Sequence, residues 1–331
     1  MNSVRILTHF LSFLPFLFRD VYAQEQSSRL RSSQLSIRQQ QQQQQQTRRL
    51  AETQCTLLVV ETAYADGTTS SSLECKLLLS NHAGSQEIVQ IRNAPQWLSN
   101  ALENDEIQSN SDILHIGSAS LIDGEKLALG EYDELSIEHQ PMQSNSRKNR
   151  LLSSNRKVLV VHVTGKDATT SSPPYGPNSL SDEIFGISGD KVNLRTQFKA
   201  CSFDAFNVVP ANGKSDTGVQ VTNGVISIEI PEVTIQNAGR NSVFYAAKGR
   251  TETILGDLES QYDHVMFCLP PGTAENWIAF AYVNDNMSAY NDVMCHHPVI
   301  QMHEIGHNLG LAHSNGASFG KEYHDTSGLV S

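Results

Sequence analysis

The segment His303-Glu-Ile-Gly-His-Asn-Leu-Gly-Leu-Ala-His313 limits what this chain can fold into more than any other stretch. Histidines four residues apart stand one above the other on a single helix face, so His303 and His307 can aim imidazole nitrogens at one ion only if the stretch is helical. Glu304 lies about 60° round the helix from His307 and flanks such an ion without capping it. Gly310 follows Leu309 where an ending helix takes positive φ, and that turn lets His313 return as a third ligand. The fourth position of a zinc ion stays open, as in catalytic sites. Zinc acidifies water to near neutrality, and Glu304 is placed to take the proton as that water attacks a carbonyl carbon. This is hydrolysis without a covalent intermediate. Met302, Ile305, Gly306 and Leu309 recur at helical spacing and read as the core-facing stripe. A lone histidine is ordinarily a satisfied, partly buried side chain; three with a glutamate in register are not explained that way.

Residues His303 to His313 resemble the metzincin zinc-peptidase signature, H-E-x-x-H-x-x-G-x-x-H. A closer resemblance is to the gametolysin family of secreted algal cell-wall-degrading peptidases. It is carried by Asn193-Leu-Arg-Thr-Gln-Phe-Lys-Ala-Cys-Ser-Phe, Phe206-Asn-Val-Val-Pro-Ala, Asn223-Gly-Val-Ile and Met302 through Ser314, in that order, and extends from about Lys157 to the last residue. The resemblance implies Zn2+, peptide-bond cleavage, ligands His303, His307 and His313, and Glu304 as general base. It also implies a metzincin-like α/β (α+β) catalytic domain with a mixed twisted sheet and an active-site helix. One departure stands out. Where the family carries a methionine-containing turn, this chain has Tyr323 through Ser331, with Leu329 and Val330 in place of methionines. The catalytic domain, 151–331, is therefore expected to be truncated at its C-terminus.

Before that domain the composition changes several times. Residues 1–23 have a short positive start, an apolar run and the small-residue ending Val21-Tyr22-Ala23, the pattern of a cleaved signal peptide. The Gln-rich tract 24–50 cannot bury a core and reads as disordered linker. From 51 to 150 the chain is β-rich and reads as a small pro-region. There, Cys55-Thr-Leu-Leu-Val-Val-Glu-Thr and Leu73-Glu-Cys-Lys-Leu-Leu-Leu-Ser flank Asp66-Gly67 as a hairpin that Cys55 and Cys75 can staple. Gln140 to Lys157 is polar and basic, an exposed linker in which Arg147-Lys-Asn-Arg150 matches an R-x-x-R processing site.

Within the catalytic part, Val158 to Thr164 reads as the first buried strand. Helices are expected over Ser179–Phe185, Val192–Cys201 and Ser242–Tyr262, and strands at Asn207–Val209, Gly218–Ile230, Val265–Cys268 and Trp277–Val283. The sequence then loosens until the metal helix begins near Pro298. Asn286-Met-Ser is a glycosylation sequon expected on a surface loop. His162, His264, His296 and His297 lack ligand spacing and read as structural. Of Cys201, Cys268 and Cys295, one must stay unpaired or bond elsewhere.

A net charge of −11 argues against nucleic acid as a partner. No later stretch is long enough to span a membrane, so the expected protein is exported, acts on extracellular or cell-wall protein, and pairs its cysteines in an oxidising compartment. The sequence leaves its oligomeric state open. Two functions fit the sequence: a secreted zinc metalloendopeptidase made as a zymogen, and a truncated, inactive zinc-binding relative acting as an interaction or decoy module. Further strands beyond the Met-turn position would favour the first.

Overall fold

One strand, β1 (Thr47–Tyr64), runs through both halves of the molecule. The computed structural model describes residues 47–77, 87–104, 106–122, 126–129, 135–140, 155–166, 176–311 and 313. The expected signal peptide, most of the Gln-rich tract, the R-x-x-R site and the Tyr323–Ser331 stretch lie outside them.

In its first half β1 belongs to a barrel. It turns at Asp66-Gly67, where Gly67 takes φ +81 and the Asp66 carboxylate accepts from the Thr68 amide at 2.9 Å, and pairs antiparallel with β2 (Thr69–Leu77). The expected hairpin and its Cys55–Cys75 disulfide are both present. Next come β3 (Glu87–Arg92), helix α1 (Gln96–Glu103), β4 (Ile113–Ile122), β5 (Lys126–Leu129) and β6 (Leu135–Glu138). The pairings run β1-β2-β3-β5-β4 and return to β1, with β3 and β5 parallel. This ring is a five-stranded Greek-key barrel with a helix between its third and fourth strands, the plan of an OB-fold. Closure removes the exposed edges a small sheet would otherwise present. Cys55, Leu57, Val89, Leu98, Leu114 and Leu127 fill it. The disordered-linker reading of residues 24–50 fails at its end: residues 47–50 are paired with Ala119–Ile122 and belong to β1.

In its second half β1 pairs antiparallel with β13 (Trp277–Tyr282) and joins the barrel to a second, mixed sheet of order β11-β7-β12-β14-β13. Here β7 is Asn155–Gly165, β11 Val225–Ile230, β12 His264–Leu269 and β14 Met287–Asn291; β8 (Asn207–Pro210) extends the sheet beside β7, and β9 (Gly213–Lys214) pairs with β10 (Gln220–Val221) apart from it. All main-sheet pairings within this half are parallel except that of β13 with β14. Helix α4 (Arg240–Leu255) covers one face through Val243, Phe244 and Ala247 against Leu159, Val161 and Phe267. Helices α2 (Pro177–Phe185), α3 (Leu194–Cys201) and α6 (Pro298–Asn308) cover the other, against Val158, Val160 and Met266. The short α5 (Leu258–Gln261) follows α4. The α+β class with a mixed sheet is as expected.

Several sequence expectations change. The Ser242–Tyr262 helix breaks at Gly256, which takes φ +87. The Gly218–Ile230 strand breaks at Asn223-Gly224, both left-handed. Arg156 and Lys157 are not linker but part of β7, and Arg156 is buried with its guanidinium 5.3 Å from the Phe206 ring centroid. After Val283 the chain does not loosen: β14 lies between β12 and β13, and its interior position leaves no alternating pattern to read.

Candidate metal centre

Helix α6 is fixed at both ends. Before it, a 3-10 turn (Asp292–His296) is tied to β12 by the Cys268–Cys295 disulfide, and the Gln301 amide donates to the Cys295 carbonyl at 2.5 Å. Pro298 opens the helix where its missing N–H costs nothing. Met302 and Ile305 are buried against the sheet. At the far end the Asn308 amide donates to the carbonyls of Tyr282 (2.9 Å) and Met287 (2.8 Å), clamping the last turn over β13 and β14. Gly310 takes φ +83, its N–H reaches the His307 carbonyl at 2.8 Å, and the Leu311 N–H reaches that of Gly306 at 3.0 Å. That pair of bonds is a Schellman motif, and it sends the chain back toward His313.

The turn brings the three histidines together. Nε2 of His303 and Nε2 of His307 are 3.1 Å apart, and one nitrogen from each of His303, His307 and His313 lies within 4.8 Å of the others. Nδ1 of His307 donates to the Leu311 carbonyl at 2.9 Å, which leaves the Nε2 lone pair for a metal. Burial, then the neighbouring His303 and His313, lowers His307 to about 3; burial, then His303, lowers His313 to about 4. Both rings are therefore neutral near pH 7, the form that ligates. Glu304 is buried, and its Oε2 has no hydrogen-bond partner among the described residues. Its carboxyl is pushed well above the usual range by burial and secondarily by the Glu61 carboxylate.

This donor set fits a metal. Tetrahedral zinc with Zn–N of about 2.0–2.1 Å needs ligand nitrogens about 3.4 Å apart, close to the His303–His307 spacing. A buried carboxylate oxygen without a protein partner is costly unless a polar or charged group completes it.

The three histidines singled out from the sequence thus meet at one place, and Glu304 is buried on the helix that carries two of them. The four histidines read as structural are not part of that cluster. His162 is buried with Nδ1 3.2 Å from the Ser227 hydroxyl, His264 packs beside Phe206, His296 pairs with Glu183, and His297 is exposed. Among the described residues Cys201 is the free cysteine, exposed at the end of α3. The Asn286 sequon is not on an open loop: Asn286 is buried and its amide donates to the Tyr262 carbonyl at 3.1 Å, because the strand it precedes is interior. Two residues near the site were not singled out from the sequence. Asn308 clamps the helix, and Glu61 of β1 lies with Oε2 4.0 Å from Nδ1 of His313. The one sign of Glu61 in the sequence is a charge directly after the apolar run Leu57 to Val60.

A family model described as gametolysin peptidase M11 matches residues 145–330, more than half of the chain. Comparison with curated proteins and with solved structures gives no match.

Proposed function

From the premise that the chain belongs to the gametolysin peptidase M11 family, and so is a metallopeptidase, we propose that it is a secreted zinc endopeptidase acting on extracellular or cell-wall protein. The observation that carries this reading is the trio of imidazoles within 4.8 Å of one another beside the buried Glu304. His303, His307 and His313 would hold the ion. Bound there, zinc supplies Lewis acidity, acidifying water and polarising a peptide carbonyl.

The remaining chemistry belongs to the chain. Glu304 accepts the proton of the attacking water at a carboxylate oxygen and returns it to the leaving amine nitrogen. Its burial keeps bulk water from competing for that proton. The Leu311 carbonyl holds the tautomer of His307, and Asn308 keeps the helix end registered on the sheet. Two disulfides among the described residues support export.

Elemental analysis of the full-length chain tests the ligand set. One zinc per chain is expected, and close to none in His307→Ala; retention near one zinc in that variant overturns the assignment. Hydrolysis of a denatured protein should stop on chelation and return with added zinc.

A further inference from the structure

Side chains alternate along β1, and the alternation decides where Glu61 goes. Cys55, Leu57 and Val59 point into the barrel, while Leu58 and Val60 point into the core under α4. Glu61 is next on the barrel-facing side, but by that point β1 has left the barrel and lies against β13. It stands opposite Ala281 of β13 and Ser71 of β2. Ala281 offers only a methyl group, so the carboxylate has room beside the metal centre. Its side chain is only 14% exposed. Oε1 accepts from the Ser71 hydroxyl at 2.7 Å, and Oε2 points to Nδ1 of His313 at 4.0 Å.

A largely buried carboxylate in an apolar strand is expensive, and its position matches a known need. A histidine that binds metal through one nitrogen is held in orientation and tautomer by an acceptor on the other. His307 has the Leu311 carbonyl for this. For His313 the nitrogen turned to Glu61 is Nδ1, which leaves Nε2 for the ion. At 4.0 Å the pair is beyond hydrogen-bond length, and a shift of about 1 Å or one bridging water closes it. Glu61 stands outside the three-histidine ligand group, so it is placed to act on the ligand and not on the ion.

We propose that Glu61 is a positioning residue of the metal centre: from the N-terminal barrel, its carboxylate accepts a hydrogen bond from Nδ1–H of His313 and holds that ring toward the ion shared with His303 and His307. The inference rests on the metallopeptidase reading and adds that the centre is built from both halves of the chain. The barrel is fastened well enough for this role. Besides the β1–β13 pairing, Lys76 bonds Glu259 at 2.6 Å, the Asn110 amide donates to Asp285 at 2.7 Å, and the buried Glu74 accepts from Tyr245 (2.5 Å) and Tyr282 (2.7 Å).

The test is zinc affinity of the full-length chain, by competition with a chromophoric chelator, together with the visible spectrum of the cobalt(II)-substituted protein. Glu61→Met fills the same space without an acceptor and should weaken zinc binding about 10- to 100-fold and change the cobalt bands. Glu61→Gln keeps an oxygen for the Nδ1 proton and should recover most of the affinity. The melting temperature of the metal-free Glu61→Met chain should not fall, which separates a positioning role from a packing one. Zinc affinity within twofold of the parent in Glu61→Met overturns the inference alone. A parent chain that binds no zinc overturns it together with the metallopeptidase reading.

Discussion

The barrel and the peptidase sheet bury their strands in different ways. The barrel closes on itself and fills its interior with the inward side chains of its own strands. The sheet stays open and depends on helices over both faces, one of which, α6, carries His303 and His307. Closure leaves a barrel little to offer a neighbour except the strand that leaves it. β1 is that strand: one edge stays with β2, while the other passes from β4 to β13 and delivers Glu61 to the centre. A self-contained element can thus still supply part of a site that local sequence assigns wholly to another.

The largest effect should come from the peptidase half. Glu304→Gln should lower hydrolysis about 10²- to 10⁴-fold while leaving zinc in place, since the glutamine cannot take a proton. The two disulfides then divide the halves. Loss of either should cost about 2–5 kcal/mol in urea unfolding. Only Cys268→Ser with Cys295→Ser should also weaken zinc, because that bridge sets the turn that feeds α6. Equal loss of zinc affinity on removing Cys55–Cys75 would mean that the barrel acts on the centre by more than Glu61.

The contact between the halves is the next point to break. Glu74→Ala removes the acceptor that Tyr245 and Tyr282 share and leaves their hydroxyls, 3.3 Å apart, only each other in place of it, at about 1–3 kcal/mol for a group left unsatisfied. We expect one unfolding transition to become two; a single transition at lower urea would show that the β1–β13 ladder alone couples the halves. A cut within 141–154 should likewise leave the barrel attached, so a processed sample should show two N-termini in equal amounts.

The last effect is one of pH, in which two histidines and Glu304 work against each other. His307 at about 3 and His313 at about 4 are depressed below the ordinary value of 6.5, so each takes up a proton on unfolding at any pH between its folded and unfolded values. Their contribution is full above about 6.5 and is lost as pH falls toward 4 and then 3. Glu304, raised, works in the opposite sense, losing its share as pH rises. The urea midpoint of the chelated chain should therefore fall from about pH 6.5 to about 4, and fall less in His307→Gln.

What is legible in the sequence is local. His303, Glu304, His307, Gly310 and His313 follow from helix period and cap chemistry, which act over a few residues. The β1–β2 hairpin follows from a turn signal between alternating runs. β14 escapes such reading because an interior strand covered on both sides shows no period, and Asn286 is misplaced with it. Glu61 escapes for a different reason. Its role depends on which edge β1 presents to β13 about two hundred residues later, and neither propensity nor spacing encodes that pairing. Asn308 has the same character: a helix-end amide becomes a clamp only when two strands supply carbonyls.

Whether Glu304 works on water beside a metal held by three histidines is tested most directly by hydrolysis of a denatured protein at equal, measured zinc content. The comparison sets the full-length chain, intact and cut within 141–154, against Glu304→Gln. One zinc per chain is expected in both proteins, with hydrolysis at least about 100-fold faster in the unmodified chain in one of its two forms. One zinc per chain with no difference in rate in either form would contradict a base at Glu304.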